Sequence, residues 1–250
     1  RDLWPLDEFM DHPAHVDSPW IVPGLLKRDW RVVIVGGEGG GKSVLWRQFA
    51  VLAAQGIHPL AFYTFGPVRT LLVDLENPAD AITRSCRSLR EAFNADMYEP
   101  GRAWIWHRPA GIDLRSRALR AEFEANLAAC RPDLVCLGPL YKAYSRKGTE
   151  TDEQATAEVQ ETLDDLRTRY GFALLLEHHA PQHQGTHREM RPYGSSLWLR
   201  WPEIGLAMRK EDPKATERDV TLDRWRGDRM VNEWPKKLAE GRQWPWVAVP

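Results

Sequence analysis

Five short apolar runs and the helical patterns between them organise the first two-thirds of the chain. Arg31 to Val35 (RVVIV) is β-branched and continuous, as a strand buried on both faces should be. Thr70 to Leu75, Ala103 to His107, Asp133 to Leu137 and Phe172 to Leu176 are of the same type. A helix is expected over about Lys42 to Ala54, stopped near Gly56. Asn77-Pro78 reads as an N-cap followed by proline at the first helical position, opening a helix to about Ala95. Asp113 is expected to cap a third helix, through about Cys130. Thr151 and Gln154 form a capping box, and Ala155, Val159, Leu163, Leu166 and Tyr170 mark the core face of the fourth.

Strand and helix therefore alternate, which predicts an α/β fold with a mostly parallel central sheet and helices on both faces. After Gly194 the pattern changes. Glu203 to Met208 and Asp219 to Trp225 read as antiparallel strands added at the edge of the sheet. Residues 1–30 form a Pro-rich, irregular lead-in arm, residues 31–235 the main domain, and residues 236–250 a tail rich in Trp and Pro with no clear period.

Composition narrows this picture only modestly. A length of 250 residues suits one such domain. The formal net charge of −1 excludes a uniformly basic surface, so any nucleic-acid contact has to come from local patches. No apolar run approaches the length of a membrane span, and the charged first residues have no apolar stretch behind them, so neither a span nor a signal peptide is expected. Cys86, Cys130 and Cys136 form no CxxC pair; reduced thiols in a cytoplasmic protein are the plain expectation.

The strongest chemical signal lies just after the first strand. Gly36, Gly37, Glu38, Gly39, Gly40, Gly41, Lys42 and Ser43 fit G-x-x-x-x-G-K-[ST], with Val44 continuing into the helix. Glycines let successive backbone N–H groups turn inward around a phosphate. The helix that begins at the end of the loop adds the positive end of its dipole. Lys42 is expected to reach the β- and γ-phosphates of ATP, and Ser43 to bind Mg²⁺. Farther on, His178, His179, His183 and His187 have the spacing of a helical metal face, but Pro181 and Gly185 interrupt the stretch, so no metal site is expected there.

About residues 20–235 resemble RecA-like ATPases, and more specifically the RepA-type and DnaB-type hexameric replicative helicases of phages and plasmids. PWIVPGLLKRDW looks like the lead-in to their P-loop strand, and RPDLVCLGPLYKAY is similar to their Walker B strand. ALLLEHHA is similar to their sensor strand, and DRWRGDR resembles the K-x-R-x-G stretch that carries their basic finger. RPYGSSLWLRWPEIGLAM looks like the segment after their DNA-facing loop.

The resemblance implies roles residue by residue. Glu76 would polarise the attacking water; the structural alternative is a carboxylate favouring the dipole of the helix after it. His179, or His178 in its stead, would sense the γ-phosphate; the alternative is a strand-end histidine satisfied by its neighbours. Arg224 or Arg226 would complete a neighbour's site, against a salt bridge on the strand face; two-residue alternation puts both on one side. Lys142, Arg146, Lys147, Arg188 and Arg191 would track single-stranded DNA, against ordinary solvated loops. The implied partners are single-stranded DNA, further copies in a hexamer, and a primase or other replisome component.

One departure stands out. The Walker B aspartate falls on Gly138, which has no carboxylate, and Asp74 and Glu177 are the candidate substitutes. That absence favours a second function, an ATP-gated single-stranded-DNA-binding recombination mediator or helicase loader with weak hydrolysis.

Overall fold

The structure is a computed structural model that describes residues 3–13, 19–92, 98–180, 192, 194–210, 219–227 and 232–249. Its helices are α1 (Leu6–Asp11), α2 (Lys42–Ala54), α3 (Ala79–Glu91), α4 (Arg117–Cys130), α5 (Asp152–Tyr170) and α6 (Leu197–Arg200). Its strands are β1 (Trp20–Val22), β2 (Leu26–Lys27), β3 (Arg31–Gly36), β4 (Thr70–Asp74), β5 (Ala103–His107), β6 (Leu134–Gly138), β7 (Ala173–His179), β8 (Ile204–Lys210), β9 (Val220–Arg226), β10 (Lys237–Glu240) and β11 (Trp246–Val249).

Nine strands form one sheet in the order β11-β10-β9-β8-β3-β7-β6-β4-β5. The strands from β8 to β5 in that order run parallel; β9, β10 and β11 continue the sheet antiparallel. The expected α/β fold is thus the one observed. Alternate residues of the central strands feed two separate cores. Ile34, Leu72, Cys136 and Leu175 pack with Leu45, Phe49 and Ala50 of α2. Val33, Val73, Val135 and Leu174 pack with Phe123 and Leu127 of α4 and Val159 and Leu163 of α5. Burial on both faces is why these strands read as unbroken apolar runs.

Several elements differ from expectation. β8 is not an antiparallel edge strand: it runs parallel to β3, with Val32 beside Ile204 and Gly36 beside Met208. Its apolar pattern fixes a buried strand but not a direction. Helix α3 begins at Ala79 with Pro78 as its N-cap, because the Asn77 side chain turns back to donate to Asp74. Helix α4 begins at Arg117 behind Ser116, and Asp113 instead accepts from the Arg115 backbone N–H. The capping box at Thr151 and Gln154 is present in full.

The two ends of the chain also carry structure. Ile21, Val22, Leu25 and Leu26, around the β1–β2 hairpin, are fully buried. The Trp234 indole donates to the Leu25 carbonyl and its ring stacks on Phe49. β10 and β11 extend the sheet, and Gln48 of α2 holds Trp246 by both backbone N–H and carbonyl.

Candidate nucleotide site

Three parallel strands, β3, β4 and β7, end at one edge of the sheet, and a cleft of about 460 Å³ opens there. Its walls are Glu38, Gly39, Gly40, Gly41, Lys42, Ser43 and Val44 from the loop and α2, Arg47 from α2, Glu76 and Asn77 after β4, and Glu177 and His179 on β7. Gly36 and Gly37 form the floor of the loop through their carbonyls, which accept from Lys42 Nζ at 3.0 and 2.9 Å.

The loop conformation needs its last glycine twice over. Gly41 has φ +83°, a region side chains resist, and a Cβ there would lie 2.4 Å from the Trp246 ring. The Trp246 indole donates to the Gly41 carbonyl at 3.2 Å, so β11 braces the loop from behind. Helix α2 then starts at Lys42 with no side-chain cap and no acid in its first turn. Its first N–H groups and its dipole face the cleft without a competing carboxylate of their own helix, which suits an anion. Lys42 is buried, and that burial is the main cause lowering its pKa; Glu177, Glu76 and Glu38 oppose the shift.

Asp74 and Arg47 support the cleft from inside. Arg47 Nη2 donates to Asp74 Oδ2 at 2.8 Å, with side chains 5% and 0% exposed. Asp74 also accepts from the backbone N–H of Glu76 and Asn77 and from the Asn77 amide. Its carboxylate is committed to turning the chain after β4, and that turn aims Glu76 at the cleft.

Glu76 is held by an unforeseen neighbour. The Tyr141 hydroxyl, on the short 3₁₀ turn after β6, donates to Glu76 Oε1 at 2.7 Å. Burial, with Glu76 next, pushes the Tyr141 pKa up. Glu76 Oε2 lies 3.8 Å from His179 Nε2, and the Tyr141 and His179 rings meet edge to face at 5.1 Å. His179 Nε2 is buried with no hydrogen-bond partner among the described residues. Burial, then the Lys42 charge, lowers the His179 pKa, so a neutral ring is favoured.

His178 is turned the other way. It is 1% exposed, its Nδ1–H donates to the His179 carbonyl at 2.9 Å, and its ring meets Trp198 at 5.7 Å. Burial pulls its pKa down to about 4. Of the two histidines, the structure therefore sets His179 in the cleft and His178 in the core.

The remaining sequence candidates lie elsewhere. Lys142 donates to the Pro109 carbonyl, Arg146 pairs with Asp152 at 3.5 Å, and Lys147 with Asp113 at 3.2 Å. These basic side chains already have local partners on the loop surface. Arg188 and Arg191 lie outside the described residues, as do His183 and His187. Arg224 stands opposite Leu206 and Arg226 opposite Gly205, whose β3 neighbours are Ile34 and Val33; the P-loop leaves β3 beyond Gly36. Both arginines are thus set back from their own chain's cleft. A register shift between Gly205 and Leu206 interrupts the alternation that was expected to align them.

Sequence reading missed Tyr141, Trp46 and Trp246 as parts of this site. Only Trp46 carried a signal, lying one turn into the P-loop helix, and the abundance of Trp obscured it. An ATP site of this kind implies Mg²⁺. The donors fit such a hard ion, since Ser43 Oγ and carboxylate oxygens converge on the cleft.

Strand, glycine-rich loop and helix N-terminus, with the lysine and serine at its mouth, define a P-loop nucleotide-binding domain. Residues 4–185 match the AAA domain family, and the chain belongs to it: it is a P-loop ATPase-type domain. No curated protein matches the chain. Among the described residues no helix is long and apolar enough to cross a membrane.

Proposed function

We propose that this domain hydrolyses ATP and uses the cycle to move along single-stranded DNA as one subunit of a hexameric, helicase-type ring. The observation that carries the first half is Glu76 and His179, 3.8 Å apart on separate strand ends, both facing the P-loop cleft. In this reading Glu76 accepts a proton from water as that oxygen bonds to the γ-phosphorus and the bond to ADP breaks. Lys42 meets the phosphates, and Ser43 with the carboxylates of the cleft holds Mg²⁺, which when bound neutralises phosphate charge. His179 would sense the γ-phosphate. Arg224 or Arg226 serves a neighbouring subunit.

Support for the second half is the link from Glu76 through Tyr141 to the adjacent Lys142 and the loop behind it. DNA held by that loop and by the segment bearing Arg188 and Arg191 would act on the base directly. The test is ATP turnover with and without single-stranded DNA across protein concentrations, paired with a multiple-turnover strand-separation assay. Turnover that rises with DNA and with concentration, and separates strands, is expected.

A second reading is an ATP-gated single-stranded-DNA-binding mediator or helicase loader. It is favoured by Gly138 and by the local pairing of Lys142, Arg146 and Lys147. DNA binding that follows ATP occupancy without strand separation would select it.

A further inference from the structure

We propose that Glu177 of β7 supplies the metal-binding carboxylate of this site, and that Gly138 of β6 is a glycine because the Glu177 side chain fills its space. The inference rests on the nucleotide-binding reading above and assigns a residue within it.

The register sets up the exchange. β6 and β7 are parallel neighbours, with Leu137 beside Leu176, so Gly138 and Glu177 are the next step along the two strands. A Cβ built on Gly138 would fall 2.4 Å from Glu177 Cβ and 3.2 Å from its Oε2. No real Cβ makes the first contact. A side chain on β6 and the present Glu177 side chain therefore exclude one another. The carboxylate has crossed one strand, from β6 to β7, and still ends beside the P-loop serine.

The local bonding is that of a ligand held in place. Ser43 Oγ lies 3.1 and 2.9 Å from the two Glu177 oxygens, and its hydroxyl donates to them. The Trp46 indole N–H, one turn along α2, donates to Oε2 at 2.6 Å. Oε1 is left nearest Lys42 Nζ, at 3.7 Å, and His179 Nε2, at 3.9 Å. Glu177 is 3% exposed, and a carboxylate is buried at high cost without a cation to face. Lys42 is beyond hydrogen-bonding distance and donates to two loop carbonyls instead. Lys42 still forms an ion pair with Oε1 at that distance; a divalent ion between Ser43 and Glu177 would add charge directly at the carboxylate.

The rivals are already engaged. Asp74 is bound to Arg47 and Asn77 behind the cleft, and Glu76 accepts from the Tyr141 hydroxyl.

The test measures ADP binding by calorimetry in EDTA and in Mg²⁺, for the full chain and for Glu177→Gln, which keeps the shape and the Trp46 acceptor. Glu177→Gln removes a negative charge beside the phosphate site, so it is expected to bind metal-free ADP at least as well as the wild type and to lose at least about tenfold of the Mg²⁺-dependent gain in affinity. In Gly138→Asp/Glu177→Gly, which also removes the Cβ at 177 that would meet the new side chain, the carboxylate returns to β6 and most of that gain should come back. A direct readout needs no variant: with Mn²⁺·ADP and protein labelled with ¹³C at glutamate carboxyl carbons, electron–nuclear double resonance should detect one nearby glutamate. A Mg²⁺ gain unchanged in Glu177→Gln, or no glutamate ¹³C coupling in the wild type, overturns the proposal while leaving nucleotide binding intact. A wild type that binds ADP under neither condition overturns the nucleotide reading and the proposal with it.

Discussion

Replacing Arg47 by Met should destabilise the domain far more than loss of a surface arginine would, because it strands a buried carboxylate. The pair is 2.8 Å apart, with Asp74 fully buried and Arg47 nearly so. Removing one partner of a buried ion pair costs about 3–5 kcal/mol, much of it the penalty of the charge left behind. Asp74 keeps the N–H groups of Glu76 and Asn77 and the Asn77 amide as donors, which places the expected loss near the lower bound, at about 3 kcal/mol. Met retains the packing of the aliphatic stem. For a chain of this size each kcal/mol lowers the melting midpoint by about 2–4 °C, so the fall should be about 6–12 °C. Adding Asp74→Asn removes the stranded charge and keeps an acceptor for the two backbone N–H groups, so the double variant should recover at least half of the loss. Thermal melts and urea titrations on the wild type, both single variants and the double variant give the coupling energy. A loss under about 1 kcal/mol in Arg47→Met, or simple additivity in the double variant, would refute the structural role given to this pair.

Other predictions concern the same site. His178 has a pKa lowered to about 4 by burial, so the unfolded chain binds a proton between about pH 6.5 and 4 that the folded chain does not. Stability contributed by the neutral ring is complete above pH 6.5 and lost as pH falls toward 4, by about 3 kcal/mol; His178→Leu should flatten that part of a stability–pH curve. Tyr141→Phe removes the hydroxyl that holds Glu76 and should lower kcat about tenfold, with little change in nucleotide affinity. Gly41→Ala meets both a positive φ and the Trp246 ring, so it should cost more than about 2 kcal/mol; in a Trp246→Ala background only the backbone part, about 1 kcal/mol, should remain.

The parts of the fold legible in the sequence are those where burial writes a simple pattern. β3, β4, β6 and β7 are covered on both faces and read as apolar runs. Helix α5 lays Ala155, Val159, Leu163 and Leu166 on one core-facing stripe behind a complete capping box. The direction of β8 was not legible, since periodicity carries no sign. β1, β2, β10 and β11 have two to four residues each, too few for a period to emerge. The P-loop was fully visible because its chemistry demands fixed residue types at fixed spacing. Tyr141 and Trp246 were not, because each comes from a segment distant in sequence from the P-loop, Tyr141 from the turn after β6 and Trp246 from β11. Glu177 stood in the sequence as one candidate acid; only the β6–β7 register shows that its side chain occupies the space above Gly138.

The most direct test of the ATPase account is single-turnover ATP hydrolysis by the wild type, Glu76→Gln and Lys42→Ala, with ATP affinity measured in parallel. The expected result is hydrolysis by the wild type and near-wild-type ATP binding by Glu76→Gln, with its rate reduced at least about 100-fold. Lys42→Ala should lose binding as well. Hydrolysis by Glu76→Gln at the wild-type rate would contradict the assignment of Glu76 as the group that activates water.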